Sequence, residues 1–351
     1  MDKKILYFSE SQKKSDDPSL NSLEKFDSNT IALVLSGNTL ILMKYWIKFQ
    51  QEWINNIYKE FKDYDKYIVL MYLISKSWEE DLDLFKFYSM DEYYSRTEIK
   101  LPNISLLELV ENLKIPKETI RRKLVELEKQ SLIKRDGQKI FLVQSALNLQ
   151  KPENSIKNIS IFLEKLSILM SAQDWFGPSI NRGDIELFLK KYYTIVWNSF
   201  FKLQIPFLIR WKEIFGDLES FVIWGNMGIN QNIILEKNLQ EADIKSDDSE
   251  TKKYIENIIN MNDTEANEYI RGVNASSIAD ISSIPRATVI RKLNKLSKKK
   301  IIKRNIKLEY FLTGKGKLNK KIKANYYVNQ KNIALFVTDI FNLIKKSSLK
   351  I

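Results

Sequence analysis

The stretch Ile115-Pro-Lys-Glu-Thr-Ile-Arg-Arg-Lys-Leu-Val-Glu-Leu-Glu-Lys-Gln-Ser-Leu-Ile-Lys-Arg135 decides the fold. Pro116 stands where a helix can begin, because its missing N–H costs nothing in a first turn. Ile120, Leu124 and Leu127 then recur at i, i+4 and i+7, the inward stripe of an amphipathic helix. Upstream, Ser105 opens a shorter helical pattern, Leu106, Leu109, Val110 and Leu113, with Glu108 three residues on as a capping-box partner. Only Lys114-Ile115 separates the two patterns, so the turn is short. Downstream, Leu132–Arg135 and Lys139–Leu142 flank Asp136-Gly137, which reads as a β-hairpin.

The same stretch occurs twice. Ile284-Pro-Arg-Ala-Thr-Val-Ile-Arg-Lys-Leu-Asn-Lys-Leu-Ser-Lys-Lys-Lys-Ile-Ile-Lys-Arg304 aligns on it without gaps. The shared residues are the opening Ile and Pro, Thr, the Arg-Lys-Leu run, a Leu, a Lys and the closing Ile-Lys-Arg. Around the second stretch, Ile278, Ala279 and Ile281 supply the preceding helix and Val289, Leu293 and Leu296 the inward stripe. Ile301–Arg304 and Leu308–Leu312 supply the strands, with Gly314 and Gly316 beyond. The likeness continues outward: Lys157-Asn158-Ile159 with Phe162 matches Lys331-Asn332-Ile333 with Phe336, and Tyr94 and Arg96 match Tyr269 and Arg271. Asp63–Val69 resembles Asp217–Ile223, after aromatic-rich helical stretches at about 39–61 and 193–214. A repeat that takes up about half the chain is too long for a solenoid and implies a fused pseudo-dimer.

Charge follows the duplication. The 351 residues carry a formal +12. Residues 281–325 hold a net +14, with Glu309 the single acid, and residues 114–139 hold a net +5, which leaves −7 for the rest. Two basic modules on a mildly acidic body are the electrostatic footprint of a polyanion binder.

Helix, tight turn, helix and hairpin form the layout of a winged helix-turn-helix. The run I-P-[KR]-x-T-[IV]-x-R-K-L-x-x-L followed by [LI]-I-K-R resembles the reading head of bacterial winged-helix transcription regulators. With a long helix before each head and another after it, near 153–171 and 327–346, the plan is most similar to the MarR family. That resemblance implies outer helices that intertwine as a dimer interface while two heads read successive major grooves. The segments Glu79–Lys100 and Glu236–Asn262 depart from a compact subunit of that family, and the second reads as an exposed loop or linker. The expected fold is therefore mainly α with small β-hairpin wings, two tandem winged helix-turn-helix domains joined through a helical pseudo-dimerisation core. Its parts are a polar N-terminal tail (1–30), a first unit (31–172, head about 104–143) and a second unit (173–351, head about 273–313).

Helix geometry sorts the recognition helices into faces. With Ile120, Leu124 and Leu127 inward, Glu118, Arg122, Val125 and Lys129 point most nearly outward, flanked by Arg121. The expected DNA contacts are Lys117, Glu118, Thr119, Arg121 and Arg122 in the first head, and Arg286, Ala287, Thr288, Ile290, Arg291 and Lys292 in the second. Wing residues Lys134, Arg135 and Lys139, with Lys303, Arg304 and Lys307, are placed for backbone or minor-groove contact. Lys298-Lys299-Lys300 and the basic tail to Lys323 would add nonspecific affinity. Arginine forks onto guanine, a hydroxyl holds phosphate, and Ile290 suits a thymine methyl. The heads differ at Glu118 against Ala287 and Arg121 against Ile290, so the expected site is asymmetric. The more basic second head is expected to show the steeper salt dependence.

The chain contains neither histidine nor cysteine. This excludes Ser-His-Asp and Cys-His catalysis, disulfides and thiolate metal sites. The cluster Glu79, Glu80, Asp81 and Asp83 has metal-binding residue types, but solvated charge is the commoner use. The aromatics Tyr45, Trp46, Phe49 and Trp53, with Trp197, Phe200, Phe201, Trp211 and Trp224, suit an effector pocket or, more commonly at helical spacing, a core seam. Neither G-x-x-x-x-G-K-[ST] nor G-x-G-x-x-G occurs, so no cofactor is expected. The reading is a non-enzymatic, cytoplasmic, sequence-specific regulator of double-stranded DNA, a monomer acting as a pseudo-dimer without membrane association. The alternatives are a plasmid- or phage-type replication initiator with tandem winged helices, and a protein-interaction or chromosome-organising module.

Overall fold

The computed structural model describes residues 26–137, 139–143, 145–146, 151–173, 177–241, 272–313 and 317–348. The first half runs α1 (Ser28–Gly37), α2 (Thr39–Phe61), α3 (Tyr64–Asp83), α4 (Met90–Tyr94), β1 (Glu98–Lys100), α5 (Leu106–Leu113), α6 (Lys117–Lys129), β2 (Ile133–Asp136), β3 (Lys139–Val143) and α7 (Glu153–Ser171). The second runs α8 (Arg182–Lys191), α9 (Tyr193–Phe215), α10 (Leu218–Glu241), α11 (Ala275–Ser282), α12 (Arg286–Lys298), β4 (Ile302–Arg304), β5 (Tyr310–Leu312) and α13 (Lys317–Ser348). The starts of α1, α2 and α3 at Ser28, Thr39 and Tyr64 recur at one constant offset as the starts of α8, α9 and α10 at Arg182, Tyr193 and Leu218. Those of α5 and α6 at Leu106 and Lys117 recur at a second, slightly larger offset as α11 and α12 at Ala275 and Arg286.

The outer helices enclose an aromatic core. Phe49 of α2 meets Phe200 of α9 with ring centroids 5.4 Å apart, and Trp46 packs edge-on against Phe162 of α7 at 5.3 Å and Phe336 of α13 at 6.0 Å. All five side chains are buried, which gives the helical-spaced aromatics a packing role. A polar seam runs through the same region. Gln50 donates to Gln204 at 2.8 Å, Asn55 and Asn226 exchange contacts at 3.1 Å, and Ser75 donates to Asn198 at 2.8 Å, all buried. Helix α3 packs on α9, and α10 packs on α2, while α1 lies along α13 and α8 along α7. The first described residue, Phe26, is tied to the last helix by its N–H donating to Asn342 at 2.8 Å.

Both helix pairs form along the stripes seen in the sequence. Ile120, Leu124 and Leu127 are buried in the first, and Val289, Leu293 and Leu296 in the second. The turns between the helices are closed by Lys114 and Ser283, both in the left-handed region with φ 54° and 59°. Pro116 and Pro285 are extended N-caps, one position earlier than a first-turn proline. Ser105 accepts from the Glu108 N–H as a cap, but the Glu108 carboxylate turns away to accept from Tyr72 at 2.9 Å, so the capping box is only half formed.

Three segments differ from expectation. Glu79–Lys100 is the end of α3, the short helix α4 and the strand β1, which pairs antiparallel with β3 (Ile99 opposite Leu142) and makes the first wing a three-stranded sheet in the order β1-β3-β2. Glu236–Glu241 continues α10 as helix, and the remainder of the expected loop, with Gly314 and Gly316, Tyr269 and Arg271, lies outside the described residues. Helix α1 begins at Ser28, within the stretch read as tail; residues 1–25 lie outside the described residues. Among the described residues, no single helix is long and apolar enough to cross a membrane.

Candidate nucleic-acid interface

In the first head, α6 turns its apolar stripe toward α3 and presents Lys117, Glu118, Arg121, Arg122, Val125 and Lys129 to solvent, with Thr119 half-buried. The exposed cations are not all unengaged. Arg121 donates to Glu118 at 2.9 Å, Arg122 lies 3.7 Å from Glu126, and Arg135 on the wing is bonded to Glu128. The Arg135 guanidinium holds the Glu128 carboxyl below its usual range. Lys134 and Lys139 are exposed on strands β2 and β3.

In the second head, α12 presents Arg286, Ala287 and Arg291 to solvent, with Thr288 and Ile290 half-buried beside them. Arg286 donates to Ser276 at 3.0 Å, and Arg291 has no acidic partner among the described residues. On the wing, the Arg304 guanidinium lies 5.4 Å from the Tyr310 ring centroid, Lys303 is half-buried and Lys307 is exposed on the turn. Lys298 and Lys300 are exposed, whereas Lys299 reaches back to the Phe215 carbonyl at 3.3 Å.

Lys292, also expected as a DNA contact, is placed differently from its neighbours on α12. Its side chain is 14% exposed and its ammonium sits 2.8 Å from Asp217 and 3.7 Å from Glu219, turned into the body of the protein. The reason is its place on the helix between Val289 and Leu296, which puts it on the flank of the buried stripe. Lys123 occupies the matching place in α6, 7% exposed and 2.7 Å from Asp63. Asp63 and Asp217 are in turn the residues that open α3 and α10, accepting from the backbone of Lys66 and Ser220, each at 2.8 Å. Helices α6 and α12 are therefore each fastened by a lysine to the N-terminus of an outer helix.

Electrostatics at these fastenings follow from burial opposed by pairing. Burial works to lower Lys123, but hydrogen bonds and attraction from Asp63 and Glu126 raise it overall. Burial works to raise Asp217, but hydrogen bonds from Lys292, Lys295 and Ser220 hold it well below the usual carboxylate range. These pairs were missed by sequence reasoning, although a lysine inside each Arg-Lys-Leu run and an aspartate at the start of each of the aligned segments 63–69 and 217–223 were available signals.

Two of the four acids of the cluster are taken up in ion pairs, while Glu80 and Asp83 are exposed. Glu79 pairs with Lys76 at 2.8 Å and Lys202 at 3.2 Å, and Asp81 lies 3.8 Å from Arg96. No group of three acidic residues suited to a metal ion occurs among the described residues. Phe49 and Trp53, expected as pocket or core, have buried rings whose edges border an open cleft shared with Glu52, Lys157, Arg182 and Ile281.

Residues 100–136 match the DeoR-like helix-turn-helix domain. The match takes in α5, the turn at Lys114, α6 and β2. This similarity supports a winged helix-turn-helix of a DNA-binding regulator at those residues. The chain matches no curated protein and no solved structure.

Proposed function

We propose that the chain is a double-stranded DNA-binding transcription regulator that uses two non-identical winged-helix heads on one polypeptide. The observation that carries this reading is the repeated fastening. Lys123 to Asp63 and Lys292 to Asp217 hold two basic recognition helices in the same way on one helical core. Reading base edges requires a helix held in a fixed orientation on a rigid body, and these ion pairs supply that attachment. The DeoR-like match supports the first head; the second rests on its matching order of helix, left-handed turn, helix and hairpin.

In this reading the outer helices take the part that intertwined subunit helices play in MarR-like dimers, and the buried seam of Gln50, Gln204, Asn55 and Asn226 fixes how the halves meet. A polar contact buried in an apolar interface penalises slipped arrangements, because slippage leaves its groups unpaired. One chain then supplies both heads, and their divergence at Glu118 against Ala287 and Arg121 against Ile290 frees the target from palindromy.

Selection of bound duplexes from a randomised pool by the purified full chain tests the proposal. The expected product is an asymmetric site with two half-sites about one helical turn, roughly 34 Å, apart. A perfect palindrome would remove the non-identical heads from the reading, and the absence of any retained duplex would remove DNA binding itself.

A further inference from the structure

We infer that the two heads divide the work of recognition. The second is an anchor that holds DNA of any sequence, and the first is a discriminating head kept off nonspecific DNA by its own carboxylates. This rests on the DNA-binding reading above and deepens it. In the first head each arginine of the recognition surface has an intramolecular acid: Arg121 with Glu118, Arg122 with Glu126, Arg135 with Glu128. At the places that align with these three acids, the second head carries Ala287, Lys295 and Ser297. Every carboxylate that quenches an arginine in one head is replaced in the other by a neutral or basic residue.

Nonspecific affinity comes from cations displacing counterions along the phosphates, and it is lost where a cation is already neutralised. The arginines of the first head must open their pairs to touch a phosphate, and the freed carboxylates then face the polyanion. Only a site that also satisfies the carboxylate compensates. Glu118, 78% exposed near the N-terminus of α6, can accept from a cytosine amino group while Arg121 forks onto a guanine. Glu118 and Glu128 are thus specificity-determining by exclusion. The second head, with Arg291 and Lys307 exposed, needs no such exchange.

The test compares the full-length wild type with E118Q/E128Q, both at partly or fully exposed positions, on a labelled duplex of arbitrary sequence, long enough to span both heads, across a salt series. Glu126 is left in place because it also contacts the buried Lys123. A charge-matched control, E80Q/D83N, changes exposed acids at the far end of α3 from Asp63. The double variant is expected to bind the arbitrary duplex about tenfold more tightly and to steepen the salt slope by about one to two units, with the control within about twofold of wild type. The converse variant A287E/I290R, which installs the first head's pair in the second, is expected to weaken that binding. Unchanged affinity in E118Q/E128Q, or an equal gain in the control, would overturn the division of labour. Wild type that binds no duplex at any salt concentration would overturn the DNA-binding reading with it, so the two failures are distinguishable.

Discussion

Lys123 donates to Asp63 across 2.7 Å, and the same carboxylate accepts from the Lys66 N–H that opens α3. One aspartate thus caps α3 and holds α6. With Lys123 almost fully buried, removing its partner strands a charge away from water, which is the expensive way to break an ion pair. Asp63→Ala is expected to destabilise the protein by about 2–3 kcal/mol, from the lost cap together with the stranded ammonium, which Glu126 only partly compensates. Asp63→Asn keeps the cap and leaves Lys123 a neutral acceptor, and should lose less. Urea denaturation midpoints of the two variants check the ordering, and equal losses would show that the charge on Asp63 alone matters.

Acid should dissolve the equivalent contact in the second half. Asp217 is held below its unfolded value, so its ionised form contributes stability at neutral pH. That contribution is complete above the ordinary carboxylate value of about 4 and fades as pH falls through the lower folded one. Asp217→Asn, which retains the helix cap, is expected to be less stable than wild type at pH 7, and the gap should close as pH drops from about 4 toward about 2. Thermal melts across that range check it; a gap that is constant with pH would assign the loss to packing instead of charge.

The buried face of α6 and of α12 was legible in sequence, because a helical stripe reports directly which side of a helix is buried. Ile120, Leu124 and Leu127 needed no tertiary information. What the stripe does not report is which polar residue a polar residue meets. Lys123 and Asp63 lie far apart along the chain, with α3, α4, β1 and α5 between them, and nothing local distinguishes a lysine that is fastened from one that is solvated. The strand Glu98–Lys100 was illegible for a different reason: it is too short to show alternation, and its conformation is set by pairing with β3. The acids Glu118, Glu126 and Glu128 were visible, but their pairing with Arg121, Arg122 and Arg135 depends on side-chain geometry.

Backbone proximity sets a third expectation. Val273 and Tyr310 exchange backbone hydrogen bonds at 2.9 and 3.0 Å, attaching the segment before α11 to the wing of the second head. Gly272 permits this. A Cβ there would lie 2.7 Å from the Tyr310 carbonyl oxygen and 2.8 Å from the Glu309 Cβ, and a backbone carbonyl in a strand cannot yield as a side-chain tip can. Gly272→Ala is expected to cost about 1–3 kcal/mol, the usual range for forcing extra volume into a closed contact. Faster hydrogen exchange at the Tyr310 amide would locate the damage at this bridge, and unchanged exchange would place it elsewhere.

Two adjacent side chains on α12 should separate binding from fastening. Arg291 is exposed and has no acidic partner among the described residues, while Lys292 is turned inward onto Asp217 and Glu219. If the outward face meets phosphate, Arg291→Ala removes about one released counterion and lowers the salt slope of duplex binding by about one unit, with the melting temperature nearly unchanged. Lys292→Met removes the same charge but leaves Asp217 with Lys295 alone at 2.8 Å and Glu219 without its lysine. Its expected signature is the reverse, a lower melting temperature with the salt slope close to wild type. Paired measurements of melting temperature and salt-dependent affinity on the two variants decide the matter. A fall in slope for Lys292→Met equal to that for Arg291→Ala would mean that Lys292 leaves Asp217 and joins the DNA contact when duplex is bound.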